Sequence, residues 1–250
     1  MSETMTIDEY LAQGGVLTSP ANASPRYRGE LMRLMATFVD SELAGSAGFA
    51  DAINHAPGVQ QRIAAARIVL EKTDHAERVL KIMGEFGADE ARYAAHHPWG
   101  QRLDRDADLG AARHGGDMRL SVFHYPITGW TDAVVMNVLM GLAVGVQLTE
   151  FARVSYAPLA EAFRDIAPRE ARHAELGFEG LVRILATEER DAAQVAIAYW
   201  RPRVAASFGV ANSSRFETLR RFGLRHRSNE ALLADWERQV ETRLGALGLT

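Results

Sequence analysis

No cysteine occurs anywhere in the 250 residues. Disulfides, iron–sulfur clusters, thiolate metal sites and cysteine nucleophiles are thereby excluded, and the composition fits a reducing compartment. Runs of basic residues are also absent: Lys and Arg are dispersed and the formal net charge is −4, which argues against a nucleic-acid partner. No glycine-rich nucleotide-binding motif is present, so electrons for any redox step have to come from another protein. The opening MSETMTIDEYLAQGG is acidic and polar without an apolar core, and no secretory signal is expected. The most apolar run, residues 133–148, is shorter than a membrane span and is interrupted by Asn137 and Gln147. It predicts a buried core helix and no membrane partner. A cytoplasmic protein is the expectation.

What the sequence does have is helical periodicity, with no strand pattern of any length. Hydrophobic residues at 47% and charged residues at 24% are ordinary for a globular chain large enough to bury a core. Residues 1–24 read as a loose N-terminal arm ending in LTSPANASP, and residues 25–250 as a single helical domain. Ser24-Pro25 starts a helix in which Leu31, Leu34, Met35, Phe38, Val39 and Glu42 recur at three- and four-residue steps. After the turn at Ala56-Pro57-Gly58, a second helix runs over about 59–86 and is closed by Gly87. Its apolar stripe includes His75, crowded by Glu71, Lys72 and Asp74.

Residues 88–120 are polar and glycine-rich and predict a long surface excursion with short helical turns; His96, His97 and His114 there lack any metal-ligand spacing. A third helix, 130–156, is apolar on most sides and belongs in the middle of a bundle. Pro158 opens a fourth, to about 185, with Pro168 inside it predicted to kink or loosen the helix. Further helices follow at about 190–206, 213–223 and 229–246. The expected fold class is all-α.

Within the fourth helix, Glu170 and His173 stand three residues apart and share one face. Such a Glu-x-x-His pair is the unit with which helical bundles hold paired metal ions. Alone it is a weak signal and reads first as an exposed charge beside a surface histidine. A second, damaged copy strengthens it: Glu42 with Lys72 and His75 repeats, at nearly the same spacing, Gly141 with Glu170 and His173. Each set climbs one helix, turns near a proline (Pro57, Pro158) and descends the next, so its positions face one another at mid-height.

Several blocks carry a family resemblance: Ser41-Glu42-Leu43-Ala44-Gly45, Asp74-His75-Ala76, Phe123-His124-Tyr125-Pro126, Trp130-Thr131-Asp132, Ser155 to Ala160, Glu170 to His173 with Gly177, Trp200-Arg201-Pro202, Phe208-Gly209 and Asn229-Glu230. Together they resemble the phenylacetyl-CoA epoxidase (phenylacetic acid catabolic) family, closest to its ferritin-like catalytic subunit. The resemblance covers most of residues 25–248 and is most specific over 123–177, while the 88–120 segment is longer here. It implies a ferritin-like four-helix bundle with extra C-terminal helices, and a di-iron site that activates oxygen to epoxidise an aromatic acyl-CoA. It also implies a separate reductase and a complex with a homologous, non-catalytic bundle subunit. By the resemblance, metal ligands fall at positions 42, 72, 75, 141, 170 and 173. Glu42, His75, Glu170 and His173 match; Lys72 stands where a Glu is expected and Gly141 where a carboxylate is expected.

Charge then decides the expectation. Four carboxylates balance two divalent cations, whereas Glu42 and Glu170 with a protonated Lys72 leave a single net negative charge. An uncompensated buried ion costs on the order of several kcal/mol. The expected centre therefore holds no iron or manganese ion, or one, rather than two, with Lys72 as its counter-charge and candidate catalytic residue. Glu71 and Asp74 are candidate substitute or supporting ligands, and Gly141 is expected to leave space for water, substrate or an exogenous ligand. Two functions stay open. One is an oxygen-dependent oxidoreductase of monooxygenase or epoxidase type with an altered site, acting on an acyl-CoA. The other is a non-catalytic structural or regulatory partner subunit of a multicomponent acyl-CoA oxygenase. A bundle whose polar core only fixes helix register is the plainest alternative.

Overall fold

In a computed structural model, residues 5–187 and 189–250 are described. Among them are helices α1 (Ile7–Ala12), α2 (Pro25–Ala52), α3 (Val59–Glu85), α4 (Glu90–His96), α5 (Trp130–Phe151), α6 (Ala157–Leu185), α7 (Arg190–Ala206), α8 (Phe216–Arg221) and α9 (Asn229–Gly245), and no strand. The long helices start and stop where local chemistry dictates. Ser24 accepts a hydrogen bond from the Tyr27 amide ahead of Pro25, and Gly87 takes a φ of +90° to end α3. α6 continues unbroken across Pro168. The proline's missing N–H removes one bond from a helix otherwise held by packing on both sides.

Two antiparallel hairpins, α2–α3 and α5–α6, form the four-helix bundle, with α7 and α9 laid against the far side of α5. α5 is long and apolar enough to cross a membrane by length and composition, yet 61% of its most apolar window is buried inside the protein. It is the core helix that its sequence predicts.

The apolar interior falls into two clusters. One, around Phe38, Val79, Leu159 and Phe163, fills one end of the bundle; the other, around Phe49, Ile68, Leu139, Trp200 and Trp236, fills the opposite end and the α7–α9 side. At their junction lies a buried polar layer: Glu42 from α2, Lys72 and His75 from α3, and Glu170 and His173 from α6. The chain thus spends its apolar residues on either side of one charged stratum.

Two segments are held more tightly than their sequence suggests. The N-terminal arm is not loose over its described part. Thr6 and Glu9 form a capping box on α1, Leu11 and Leu17 are buried, and the Leu17 amide donates to the Ser155 carbonyl at 2.7 Å while Ala157 N–H returns to Leu17 O at 2.8 Å. The 88–120 segment is the expected surface excursion with a short helix, α4, and most of its residues are exposed, but it is tied down as a strap over α2. Its anchor is Asp40, fully buried, whose carboxylate accepts from Tyr93 Oη at 2.8 Å, Trp99 Nε1 at 3.1 Å and the Met118 amide at 2.6 Å. Arg119, 1% exposed, pairs with Asp117 and donates to the carbonyls of Pro98, Trp99 and Gln101. A buried guanidinium with this many acceptors has its donors satisfied inside the protein.

Candidate functional site

Three helices deliver the polar layer because each carries its charged residues at the height where the two apolar clusters meet. The Lys72 ammonium donates to Glu42 Oε1 and to both oxygens of Glu170, each at 3.1 Å. His75 Nδ1 lies 3.0 Å from Glu170 Oε1 and 3.3 Å from Glu42 Oε2. Both partners are carboxylate oxygens, so Nδ1 carries the hydrogen. His173 donates through Nε2 to Glu71 Oε2 at 2.7 Å; its Nδ1 is 3.2 Å from Glu170 Oε1 but makes no aligned hydrogen bond. The His75 and His173 rings stack at 6.0 Å.

The electrostatics follow from this packing. Burial by itself would lower the Lys72 pKa, but the Glu170 and Glu42 carboxylates outweigh it and hold the ammonium above the ordinary lysine value. Burial likewise opposes ionisation of Glu170, yet Lys72, His173 and His75 keep its carboxyl well below the usual range. His75 is pushed down by burial and back above its ordinary value by hydrogen bonds to Glu170 and Glu42. The layer is a salt-bridge cluster in which the Lys72 ammonium offsets one of the two carboxylate charges and the His75 N–H hydrogen-bonds both carboxylates.

A di-iron centre does not fit this arrangement. Ligand atoms of Glu42, His75 and Glu170 lie within 4.8 Å of one another, a spacing that suits one ion. The Lys72 ammonium already stands among their oxygens as the cation. Nor does Gly141 leave space, as expected from the sequence: a Cβ there would meet Ala174 Cβ at 2.9 Å and Ala174 Cα at 3.1 Å. The missing side chain lets α6 approach α5, and the same close approach recurs at Gly177 against Asn137 and Gly180 against Val134. Asn137, the polar residue inside apolar α5, donates to the His173 carbonyl at 2.9 Å and pins the two helices together.

Of the other candidates, Glu71 reaches the rim of the layer through His173. Asp74 does not enter it. One residue before His75, it is turned about 100° around α3 and pairs instead with Arg78 at 3.1 Å and Arg169 at 2.7 Å on the surface. Glu150, nine residues beyond Gly141 on α5, is buried outside the layer and accepts from the amides of His226 at 2.7 Å and Arg227 at 3.0 Å, so it does not replace the carboxylate missing at position 141. His97 packs tilted against Tyr93 and His114 meets His124 edge to face, so these two histidines of the strap do not assemble a ligand set.

Sequence reasoning missed the cavity that reaches the layer. About 310 Å³ in volume, it runs between α2, α5, the strap and the α7–α8 loop, with Glu42 in its wall. Phe38, Phe123, Met140, Val144, Leu148 and Phe151 make the interior apolar, and Arg33, Arg113, Arg215 and Arg225 line it as well. Burial and the neighbouring charges of Arg33 and Arg215 lower the pKa of Arg113, the mark of crowded positive charge. These arginines come from separate elements distant in sequence, which is why no motif announced them.

Comparison with known proteins agrees with the geometry. A family model described as phenylacetic acid catabolic protein matches residues 5–250. A curated relative, one of the subunits of the 1,2-phenylacetyl-CoA epoxidase of Escherichia coli (strain K12), is 25% identical over 180 residues, which cover 72% of this chain and 53% of the relative. The chain thus spans about half the length of the curated relative it matches. An all-α bundle with Glu42, His75, Glu170 and His173 gathered in one buried layer, matched by the family model over nearly its whole length, leads to one statement: the chain belongs to the phenylacetic acid catabolic protein family.

Proposed function

We propose that this protein serves aromatic acyl-CoA catabolism in the cytoplasm as a metal-poor bundle. It binds an anionic acyl thioester and works beside a homologous, metal-bearing bundle, with electrons supplied by a reductase. The observation that carries this reading is the Lys72 ammonium seated 3.1 Å from both Glu42 and Glu170. A cation held there offsets, without a metal, part of the negative charge of two buried carboxylates. The cavity supports thioester binding: arginine guanidiniums suit phosphate groups, and the apolar interior suits an acyl chain. A partner bundle is supported by an exposed apolar stripe on α3, where Val59, Ile63 and Leu70 are 71%, 50% and 70% exposed on one face. The curated relative is itself named as a subunit of an epoxidase.

Calorimetric titration of the full chain with phenylacetyl-CoA tests the binding. Saturable binding, weakened at least about tenfold by Arg113→Glu, is the expected result; no binding to the wild type overturns it.

A second reading keeps an oxygen-dependent oxidoreductase that uses one ion. It is favoured by the proximity of Glu42, His75 and Glu170 and by the cavity's reach to Glu42. Formation of an oxygenated acyl-CoA by iron-supplied, chemically reduced protein would select it.

A further inference from the structure

We infer that Lys72 is a built-in cation that keeps a latent one-ion site closed: without its ammonium, Glu42, His75 and Glu170 form a site for a single divalent metal ion. The packing of Ala174 on Gly141 limits that site to one. The inference rests on the metal-poor reading above and says what that reading conceals.

Three observations carry it. First, the oxygens are already aimed at one point. Glu42 Oε1 and both oxygens of Glu170 lie 3.1 Å from Lys72 Nζ, and His75 Nδ1 is in contact with both carboxylates. All three residues are at most 3% exposed, so a cation replacing the ammonium meets ligands held by packing rather than gathered from solvent. Second, the charge balances. Two carboxylates and a neutral imidazole, its hydrogen moved from Nδ1 to Nε2 so that Nδ1 can ligate, match one divalent cation, whereas in the wild type the ammonium already supplies positive charge and a metal would add to it. An oxygen-rich set with one imidazole suits Mn²⁺, Fe²⁺, Co²⁺ and Zn²⁺. Third, the other half of the layer is shut by backbone. Any side chain at Gly141 meets Ala174 Cβ at 2.9 Å and Cα at 3.1 Å, and His173 Nε2 is engaged by Glu71 at 2.7 Å. Restoring a carboxylate at position 72 therefore supplies a ligand for one ion and leaves a second without enough donors.

The test uses the untagged full chain with Co²⁺ as probe, read by visible absorption, elemental analysis and thermal unfolding. Wild type is expected to take up none. Lys72→Met and Lys72→Glu are each expected to bind one Co²⁺ per chain, at least about a hundredfold tighter than wild type. Cobalt should raise their Tm and leave the wild-type value unmoved, because a ligand that binds only the folded state stabilises it. Should Lys72→Met fail to fold alone, its refolding on addition of Co²⁺ supports the site. Failure of Co²⁺ to restore it, while Lys72→Met/Glu42→Gln/Glu170→Gln folds without metal, overturns the site. Folded Lys72→Met and Lys72→Glu that both stay metal-free also overturn it, with the metal-poor reading intact. Two ions in Lys72→Glu overturn the closure by Ala174. Stoichiometric Co²⁺ in the wild type overturns this inference and the metal-poor reading together.

Discussion

Lys72 Nζ donates to both oxygens of Glu170 at 3.1 Å inside a bundle where neither side chain is more than 7% exposed. Removing one member of such a pair costs more than removing both, because the survivor keeps its charge without compensation. In metal-free buffer, Lys72→Met is expected to lose about 3–5 kcal/mol. Adding Glu42→Gln and Glu170→Gln should recover more than half of that loss. Urea unfolding of the single and triple variants measures both, and a single variant within about 0.5 kcal/mol of wild type would refute the assignment of a compensating charge.

Gly141 and Gly145 lie one turn apart on α5 and should respond in opposite directions to alanine. Both gain roughly 1 kcal/mol of helix propensity. At Gly145 nothing lies within 4 Å of the new methyl, so Gly145→Ala is expected to stabilise. At Gly141 the methyl drives into Ala174, and overpacking of about 1–3 kcal/mol outweighs the propensity gain. Thermal unfolding of the two variants gives the signs directly. Stabilisation by Gly141→Ala would mean that α5 and α6 are not in close contact there.

Asp40 satisfies three donors of the strap with one carboxylate. Asparagine offers a single acceptor oxygen and turns an amide toward the remaining N–H groups. Asp40→Asn is expected to cost about 2–3 kcal/mol and to make residues 97–118 the first site of limited proteolysis. An unchanged cleavage pattern would place the anchoring of the strap elsewhere.

His124 gives the protein a pH-dependent term away from the charged layer. Burial, then the positive charge of Arg119, pushes its pKa from 6.5 down to about 4, and its Nε2 is buried without a partner. The folded state binds this proton less readily than the unfolded chain. The stabilising contribution is therefore full above pH 6.5 and is lost as pH falls towards 4. Over that window the wild type should lose up to about 3 kcal/mol more than His124→Asn. Parallel stability–pH curves for the two proteins would contradict it.

The helical frame was readable because its signals are local. Ser24-Pro25, Gly87 and Pro158 mark helix ends within a residue or two, and the three-residue step from Glu170 to His173 puts both on one face. Lys72 as counter-charge followed from the family resemblance, which puts it at a ligand position, together with charge balance. The missed features depend on contacts between distant residues. Leu17 pairs with Tyr156, Asp40 reaches Trp99 and Met118, and Ala174 fills the space beside Gly141. Glycine in a helix reads from sequence as either a gap or a close approach, and only the neighbouring helix distinguishes them.

In the function proposed above, a lysine ammonium holds the place that metal ions hold in a di-iron bundle. Metal content per chain decides whether it does. The measurement is elemental analysis of wild-type protein, expressed with iron and manganese supplied and purified without a metal-binding tag. A cluster that already holds its cation predicts well below about 0.1 ion per chain. One or two tightly held ions per chain would contradict it.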